Sequence, residues 1–577
     1  NREGSISSEA EVKMLPASKS WLLVGVLLCA KSSAGSAADA QGDKNAHPEV
    51  ITTYGRLRGM VIGVKGTDQP VNAFLGIPFA KPPTGSLRFT PPQPPEPWSH
   101  MRDATSFSPM CLQDPGWFEI FQQFMNVTLP DISTSEDCLY LNVYTPDTKG
   151  QLPVMVWIHG GALEMGGAFM YDGSALSAYE DVVVVTIHYR LDILGFFSTG
   201  SAEAHGNWGL LDQTAALRWV QENIRSFGGD PQCVTIFGES AGGFSVSAHL
   251  LSPLSKGLFH RAISQSGVAL LPGLWTPHPE VLAKEIADVS GCETSSAEML
   301  RCLRSKTEEE LISLMKEVAP MYAVVDGKFF PKAPEELLAA KEFSAIPYLV
   351  GVNNHEYGFG IMIILMKSTD IIDGMDRENI TAAFQPVASS MGLSPESAKK
   401  VLDEYLGDTE DRIKLRERFQ ELMGDAIFVV PAVQTARSQR DSGAPVYFYE
   451  YQHGPSRFKD IRPDFVKADH GDEVFSVFGF PFLNASLFAS KGDGMEDEKQ
   501  LSKTIMKYWA NFARTGNPNG KGLVKWPLYD QNEGYLELNL QQRAAEKLKK
   551  KQVDFWLGIL NDKMKKATKE KEAHVDL

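Results

Sequence analysis

Two short stretches of the chain are apolar from end to end: Val154-Met155-Val156-Trp157-Ile158 and Val182-Val183-Val184-Val185-Thr186-Ile187. Runs of this kind, with no polar face, predict strands of a parallel sheet covered on both sides. From Leu211 to Ile224 the spacing becomes helical, through Leu211, Ala215, Leu217, Trp219 and Val220, and the turn Gly228-Gly229-Asp230-Pro231 follows. Val234–Phe237 then reads as a strand, Ala241–Leu251 as a helix, and Tyr348–Val352 and Val446–Tyr449 as later strands. Alternating strands and helices predict an α/β architecture, with a large, mostly parallel central sheet flanked by helices. Residues 49–68 begin as a hairpin, and the proline-rich residues 78–97 read as an extended surface segment. Residues 272–341 and 361–438 read as mostly helical insertions, with amphipathic pieces at Glu308–Val318 and Glu396–Tyr405. From Ala544 to Lys571, lysine clusters alternate with Leu548, Phe555, Trp556, Ile559 and Leu560. This predicts a helix docking an apolar stripe on the body, in preference to a membrane-binding one.

Composition narrows the function classes. Of 577 residues, 43% are hydrophobic and 22% charged, a globular balance. The net charge of -16 repels phosphate backbones and argues against a nucleic-acid partner. Near the start, Met14 and Lys19 precede the apolar run Trp21–Ala30 and then small residues up to Ala40. This is the order of a secretory leader, and the run is too short for a membrane anchor. The expected organisation is therefore a leader and upstream residues over 1–40 and a single domain over 41–577, with Ser36 and Ala40 both candidates for the last residue removed. No second apolar run is long enough to cross a membrane.

A secretory route gives the cysteines meaning. The most local pairings are Cys111 with Cys138 and Cys292 with Cys302, although sequence leaves connectivity open. Cys233, beside a strand, reads as a small buried hydrophobe. No cysteine pair has zinc-ligand spacing with histidines nearby, so no metal site is expected. Sequons at Asn126, Asn379 and Asn484 are candidate glycosylation sites. The tail His574-Val575-Asp576-Leu577 is similar to the endoplasmic-reticulum retrieval tetrapeptide, with aspartate where that signal carries glutamate, and implies a retrieval receptor as partner.

The chemistry centres on Gly238-Glu239-Ser240-Ala241-Gly242, a G-x-S-x-G motif between a strand and a helix. That context is a nucleophile elbow, with Ser240 held clear of the sheet. A serine needs a base and a place for the oxyanion. His159-Gly160-Gly161-Ala162 follows the strand Val154–Ile158, so the amides of Gly161, Ala162 and Ala241 are the expected oxyanion donors. Alanine at 162 serves if its backbone conformation is allowed; a required positive φ would weigh against it. Glu164 nearby must be paired or turned away, since an unpaired charge beside the site is costly. Among His355, His453 and His470, the polar loop Ala468-Asp469-His470-Gly471-Asp472-Glu473 is where the base should hang. For the acid, Glu356 follows the strand Tyr348–Val352, with Asp326 and Asp469 as competitors.

These residues carry a family resemblance. Glu136-Asp137-Cys138-Leu139-Tyr140-Leu141-Asn142-Val143, Phe237-Gly238-Glu239-Ser240-Ala241-Gly242-Gly243, Gly206–Gln213 and Ala468–Glu473 together resemble the type-B carboxylesterase/cholinesterase family over about Pro48 to Leu560. Ala162, Ser266–Leu274 and Ile461-Arg462-Pro463 are most similar to the carboxylesterase 2 (cocaine esterase) type. The resemblance implies an α/β-hydrolase fold with helical insertions over the active site. It implies a triad of Ser240, Glu356 and His470, oxyanion donors Gly161, Ala162 and Ala241, and the two local disulfides. It also implies residence in the endoplasmic reticulum lumen, no cofactor, and hydrolysis of esters with a small acyl group and a bulky alcohol. Amide and thioester substrates, an acyl-CoA thioesterase or acylglycerol lipase of the same fold, and a catalytically silent adhesion protein are the alternatives. The last lacks one or more triad residues, and all three are present here.

Overall fold

The computed structural model describes residues 47–117, 119, 122, 133–366, 370–483 and 496–575. The expected leader 1–40, the sequons at Asn126 and Asn484, and Asp576 and Leu577 of the tail lie outside the described residues.

Eleven strands form one mixed sheet. They are β1 (Met60–Ile62), β2 (Val71–Pro78), β3 (Tyr140–Thr145), β4 (Leu152–Ile158), β5 (Val183–Ile187), β6 (Gly229–Glu239), β7 (Arg261–Gln265), β8 (Tyr348–Asn353), β9 (Val446–Tyr451), β10 (Gly534–Leu538) and β11 (Arg543–Glu546). The spatial order is β11-β10-β9-β8-β7-β6-β4-β5-β3-β2-β1. From β10 to β5 every neighbour pair is parallel, and both edges are antiparallel. The continuous runs predicted as doubly covered strands are the middle of the parallel region. Val154–Ile158 and Val183–Ile187 are almost wholly inaccessible, and apolar cores lie on both faces. The helices include α1 (Trp208–Asn223), α2 (Ala241–Leu251), α3 (Glu496–Thr515) and α4 (Lys550–Val575), and one core gathers Trp157, Phe237 and Phe478 around the face that α3 covers.

Several boundaries differ from the sequence pattern. The predicted hairpin at 49–68 forms in its first half and then divides: Glu49–Ile51 pairs antiparallel with Arg56–Arg58, which in turn pairs with Met101–Asp103 in a separate small sheet, while β1 joins the large one. Gly229–Pro231, predicted as a turn, already belongs to β6, which pairs with β4 through an irregularity between Gly229 and Val234. β7 has no apolar run to mark it. Ala544 was expected to open the last helix, but Arg543–Glu546 is an edge strand and α4 starts at Lys550. The docking of that helix is as predicted: Val553, Trp556 and Ile559 are buried, and Trp556 Nε1 donates to Tyr405 Oη at 2.9 Å.

The insertions are helical, as their spacing suggested. Glu308–Glu317 begins at a capping box in which Thr307 and Glu310 satisfy each other's backbone amides. Pro395–Leu406 covers the second amphipathic piece. The disulfides Cys111–Cys138 and Cys292–Cys302 are both formed. Cys233 is free and half-buried, its Sγ 3.3 Å from Arg261 Nη1. Asn379 is exposed in the first turn of Arg377–Ser390. Among the described residues no helix is long and apolar enough to cross a membrane.

Candidate active site

Ser240 sits between β6 and α2 at φ 57 and ψ -124, a conformation that side chains other than glycine rarely adopt. The surroundings over-determine it. Ser240 N donates to Gln265 O at 2.9 Å, and Phe244 N returns to Ser240 O at 2.8 Å. The turn closes only because its neighbours lack side chains. A Cβ on Gly242 would lie 2.0 Å from Ile158 O, and one on Gly267 would lie 2.0 Å from Ser240 O. The small residues of the motif are thus fixed by the distance between β4, β6 and α2.

The loop after β4 approaches the same point. A Cβ on Gly160 would stand 3.1 Å from Ser240 Cβ. His159 is buried, stacks on Tyr189 at 4.4 Å, and its carbonyl receives Tyr189 Oη at 2.8 Å. Burial holds the His159 imidazole down at about 4, so it stays neutral. Glu164 N and Met165 N both donate to Gly161 O, at 2.9 and 3.0 Å, tightening the loop into a turn. The amides of Gly161, Ala162 and Ala241 donate to no protein acceptor among the described residues. Ala162 does take a positive φ, 56°, and is exposed. The left-handed conformation costs an alanine about 1–2 kcal/mol, which the turn can hold. Glu164 is paired, receiving Tyr322 Oη at 2.6 Å.

His470 and Glu356 meet from opposite sides. Glu356 lies three residues past the end of β8; its Oε1 accepts from Asn353 N at 2.7 Å, and its Oε2 is 2.6 Å from His470 Nδ1. Asp469 braces the loop instead of competing for the ring. Its carboxylate accepts from Gly360 N at 2.8 Å and His470 N at 3.0 Å, and its carbonyl receives Asn353 Nδ2 at 2.7 Å. Asp326 accepts from Lys328 N and Phe330 N in a turn of its own. His453 pairs with Glu498 at 3.0 Å, and His355 accepts from Lys467 N at 3.2 Å. Phe428 packs on the His470 ring at 4.6 Å, carried by a π-helical turn at Asp425–Val429. Such turns widen a helix locally and concentrate at functional sites.

The structure does not join His470 to Ser240 by a hydrogen bond. His470 Nε2 stands 2.9 Å from Glu239 Oε1, the carboxylate of the residue just before the serine. Burial opposes a charged imidazole, but the carboxylates of Glu239 and Glu356 outweigh it and hold His470 well above the usual histidine range. A third acid stands behind them. Glu473 accepts from Asn353 Nδ2 at 2.7 Å and Gln265 Nε2 at 3.0 Å. Burial, then the charges of Glu239 and Glu356, push its carboxyl up to about 8, so it keeps its proton at neutral pH. Glu239 and Glu473 were not singled out from sequence. One hint was the wildcard position of the serine motif, and another the acid-rich His470 loop.

The arrangement supplies a serine on a strained elbow, unpaired amides beside it, and an imidazole oriented by a buried carboxylate. Among the described residues no cluster of His, Cys, Asp or Glu is arranged to hold a metal ion. The chemistry available is acyl transfer through a serine ester.

Comparison with known proteins agrees with that chemistry. Residues 46–556 match the model of the carboxylesterase family. Over 543 residues the chain is 51% identical to cocaine esterase of Homo sapiens, covering 93% of this chain and 96% of that protein. It is also 51% identical over 543 residues to acylcarnitine hydrolase of Mus musculus, covering 93% and 95%. Over 550 residues it is 50% identical to the medium-chain fatty acyl-CoA hydrolase precursor of Anas platyrhynchos, covering 92% and 96%.

Proposed function

The chain belongs to the carboxylesterase family and is a carboxylic-ester hydrolase, and from that premise we propose that Ser240, His470 and Glu356 perform its chemistry through an acyl-enzyme. The observation that carries the assignment is the pairing of two geometries. Ser240 stands on the elbow at φ 57, and a ring bonded to Glu356 at 2.6 Å lies against the residue before it. His470 swings from Glu239 towards Ser240 and takes its proton as the hydroxyl attacks the ester carbonyl. Hydrogen bonds between catalytic groups often tighten only when substrate is present. Negative charge then develops against the amides of Gly161, Ala162 and Ala241, where each donor contributes about 3–4 kcal/mol. The imidazolium protonates the leaving alcohol, and the same ring activates the water that releases the acid.

Substrate class follows the family. Esters with a small acyl group and a bulky alcohol fit the likeness to cocaine esterase, and oxygen esters of carnitine or thioesters of coenzyme A fit the names of the mouse and duck relatives. All three use one reaction and differ in the leaving group. The chain works in the lumen of the endoplasmic reticulum, delivered by the leader and retrieved through His574–Leu577, with Asn126, Asn379 and Asn484 glycosylated. The two disulfides support an oxidising compartment.

Replacing Ser240 with alanine is expected to abolish ester turnover and labelling by a fluorophosphonate while leaving the thermal transition in place. Turnover or labelling that persists in this variant refutes the assignment.

A further inference from the structure

The oxyanion loop is tied to the body by a side chain far from it in sequence. Gln113 follows the short strand Met110–Cys111, which pairs with Thr134–Ser135, and the Cys111–Cys138 disulfide anchors this segment. The glutamine is fully buried. Its amide reaches Gly166, 53 positions away, at the far end of the loop that opens at His159. Gly166 N donates to Gln113 Oε1 at 2.8 Å, and Gln113 Nε2 donates to Gly166 O at 3.0 Å and to Cys111 O at 2.9 Å. A primary amide has two N–H bonds, so both are committed, one to the loop and one to the disulfide-bonded segment. Among the described residues no backbone group pairs with Gly166, so Gln113 supplies both of its hydrogen bonds.

The loop needs a hold of this kind. Gly161, Ala162 and Leu163 stand in succession at φ 102, 56 and 66. Two of the three lack glycine's freedom, so the turn relaxes unless contacts outside it keep it in place. Gly166 transmits the hold by close contact. It stands at φ 110, and a Cβ there would lie 2.7 Å from His159 Nδ1 and 2.9 Å from Gly160 O. Gly160 O and Gly161 N belong to one planar peptide, so fixing the carbonyl fixes the direction of the Gly161 N–H. The residue before Gly166 closes the turn. Met165 N donates to Gly161 O at 3.0 Å, and a Cβ on Gly161 would lie 2.2 Å from Met165 O. The two legs of the loop therefore touch backbone to backbone, and Gln113 joins the second leg to the body.

We propose that Gln113 is a positioning residue for ester hydrolysis: its amide holds Gly166 so that the Gly161 and Ala162 N–H groups stay aimed at the oxyanion. The proposal rests on the reading in which those amides receive the developing charge. Such donors act through preorganisation, and a donor that must turn during the reaction spends part of its gain on turning. The charge exists only in the transition state and the tetrahedral intermediates, so the loss falls on kcat and not on KM.

The test uses two variants in the full chain. Gln113→Met keeps the side-chain length and removes every hydrogen bond of the amide; Gln113→Glu keeps the acceptor for Gly166 N and loses the amide donors. With p-nitrophenyl acetate, and rates expressed per fluorophosphonate-titrated site, kcat is expected to fall about 100-fold in the first and about ten-fold in the second, with KM within about three-fold of the unaltered chain. A second readout separates positioning from a general loosening. Attack of a serine on 1,1,1-trifluorodecan-2-one gives a hemiketal anion that needs the donors, whereas decan-2-one binds as the neutral ketone. Preference for the fluorinated ketone is expected to fall by the same factor as kcat, with affinity for decan-2-one unchanged. Should Gln113→Met fail to fold, Gln113→Glu carries both measurements. Unchanged kcat per site in the folded variants, or an equal loss of affinity for both ketones, overturns the positioning role and leaves Gln113 a structural contact alone. Absence of any preference for the fluorinated ketone in the unaltered chain would instead overturn the oxyanion reading beneath it.

Discussion

Glu239 fills the variable position of the G-x-S-x-G motif, yet its carboxylate stands 2.9 Å from the outer nitrogen of the His470 imidazole. Its position has a kinetic consequence. A base acts only when deprotonated, and His470 is held above the ordinary histidine range by Glu239 and Glu356 against the opposing effect of burial. Below that raised value the ring is an imidazolium and idle, so kcat/KM is expected to rise with pH through it. Replacing Glu239 with glutamine removes one of the two carboxylates. The rising limb of the profile should then move to lower pH; a limb that stays in place removes Glu239 from control of the base. At this scale a motif or a loop position marks Ser240, His470 and, at a strand end, Glu356, and the structure joins the last two at 2.6 Å. Sequence did not reveal Glu473 or Glu239 as partners. Their role is defined by which acids face one ring, and Glu473 is separated from Gln265, whose amide it accepts, by 208 positions.

Elements show the same division between pattern and context. The buried strands and α2 were legible because their composition answers to burial alone. β7 was not, because Arg261-Ala262-Ile263-Ser264-Gln265 owes its inaccessibility to neighbours on either side, β6 and β8. The C-terminal helix α4 was legible in its apolar stripe but not in its start, where β11 takes the residues before it. That helix also bears on the site. Trp556 holds the Tyr405 hydroxyl, which donates to Asp425 at the head of the π-helical turn, while Lys549 pairs with Asp425 at 2.6 Å. Trp556→Ala removes a fully buried indole and is expected to cost about 3–5 kcal/mol, read as a lower midpoint in chemical denaturation. An unfolding free energy within about 1 kcal/mol of the unaltered chain, on the order of a surface substitution, would show that α4 is not a structural support.

Across the whole molecule, the family motifs prove to be mainly architecture. Glu136 pairs with Arg88 in the interior, and Arg88 reaches on to Leu303 O and Lys306 O, tying the segment beside Cys138 to the helices around Cys302. Asp212 pairs with Arg190 at 2.8 Å, and Gln213 receives His249. Removing one partner of such a buried pair leaves an uncompensated charge, which explains why these residues mark the family without touching the chemistry. Delivery is a property of the full chain too. Cells expressing it should keep it in the endoplasmic reticulum, and deleting His574–Leu577 should send it to the medium. Equal secretion of both forms would remove the retrieval role of the tail.

The tightness of the elbow divides the molecule for anyone who wishes to alter it. At Gly242 and Gly267 even one added carbon would collide with a carbonyl oxygen at 2.0 Å. Directed evolution therefore has nothing to sample there, since each such variant separates strand from helix. Ala162 and Glu164 stand on the same loop with an exposed or half-exposed side chain, where libraries can vary selectivity while the turn beneath keeps its shape.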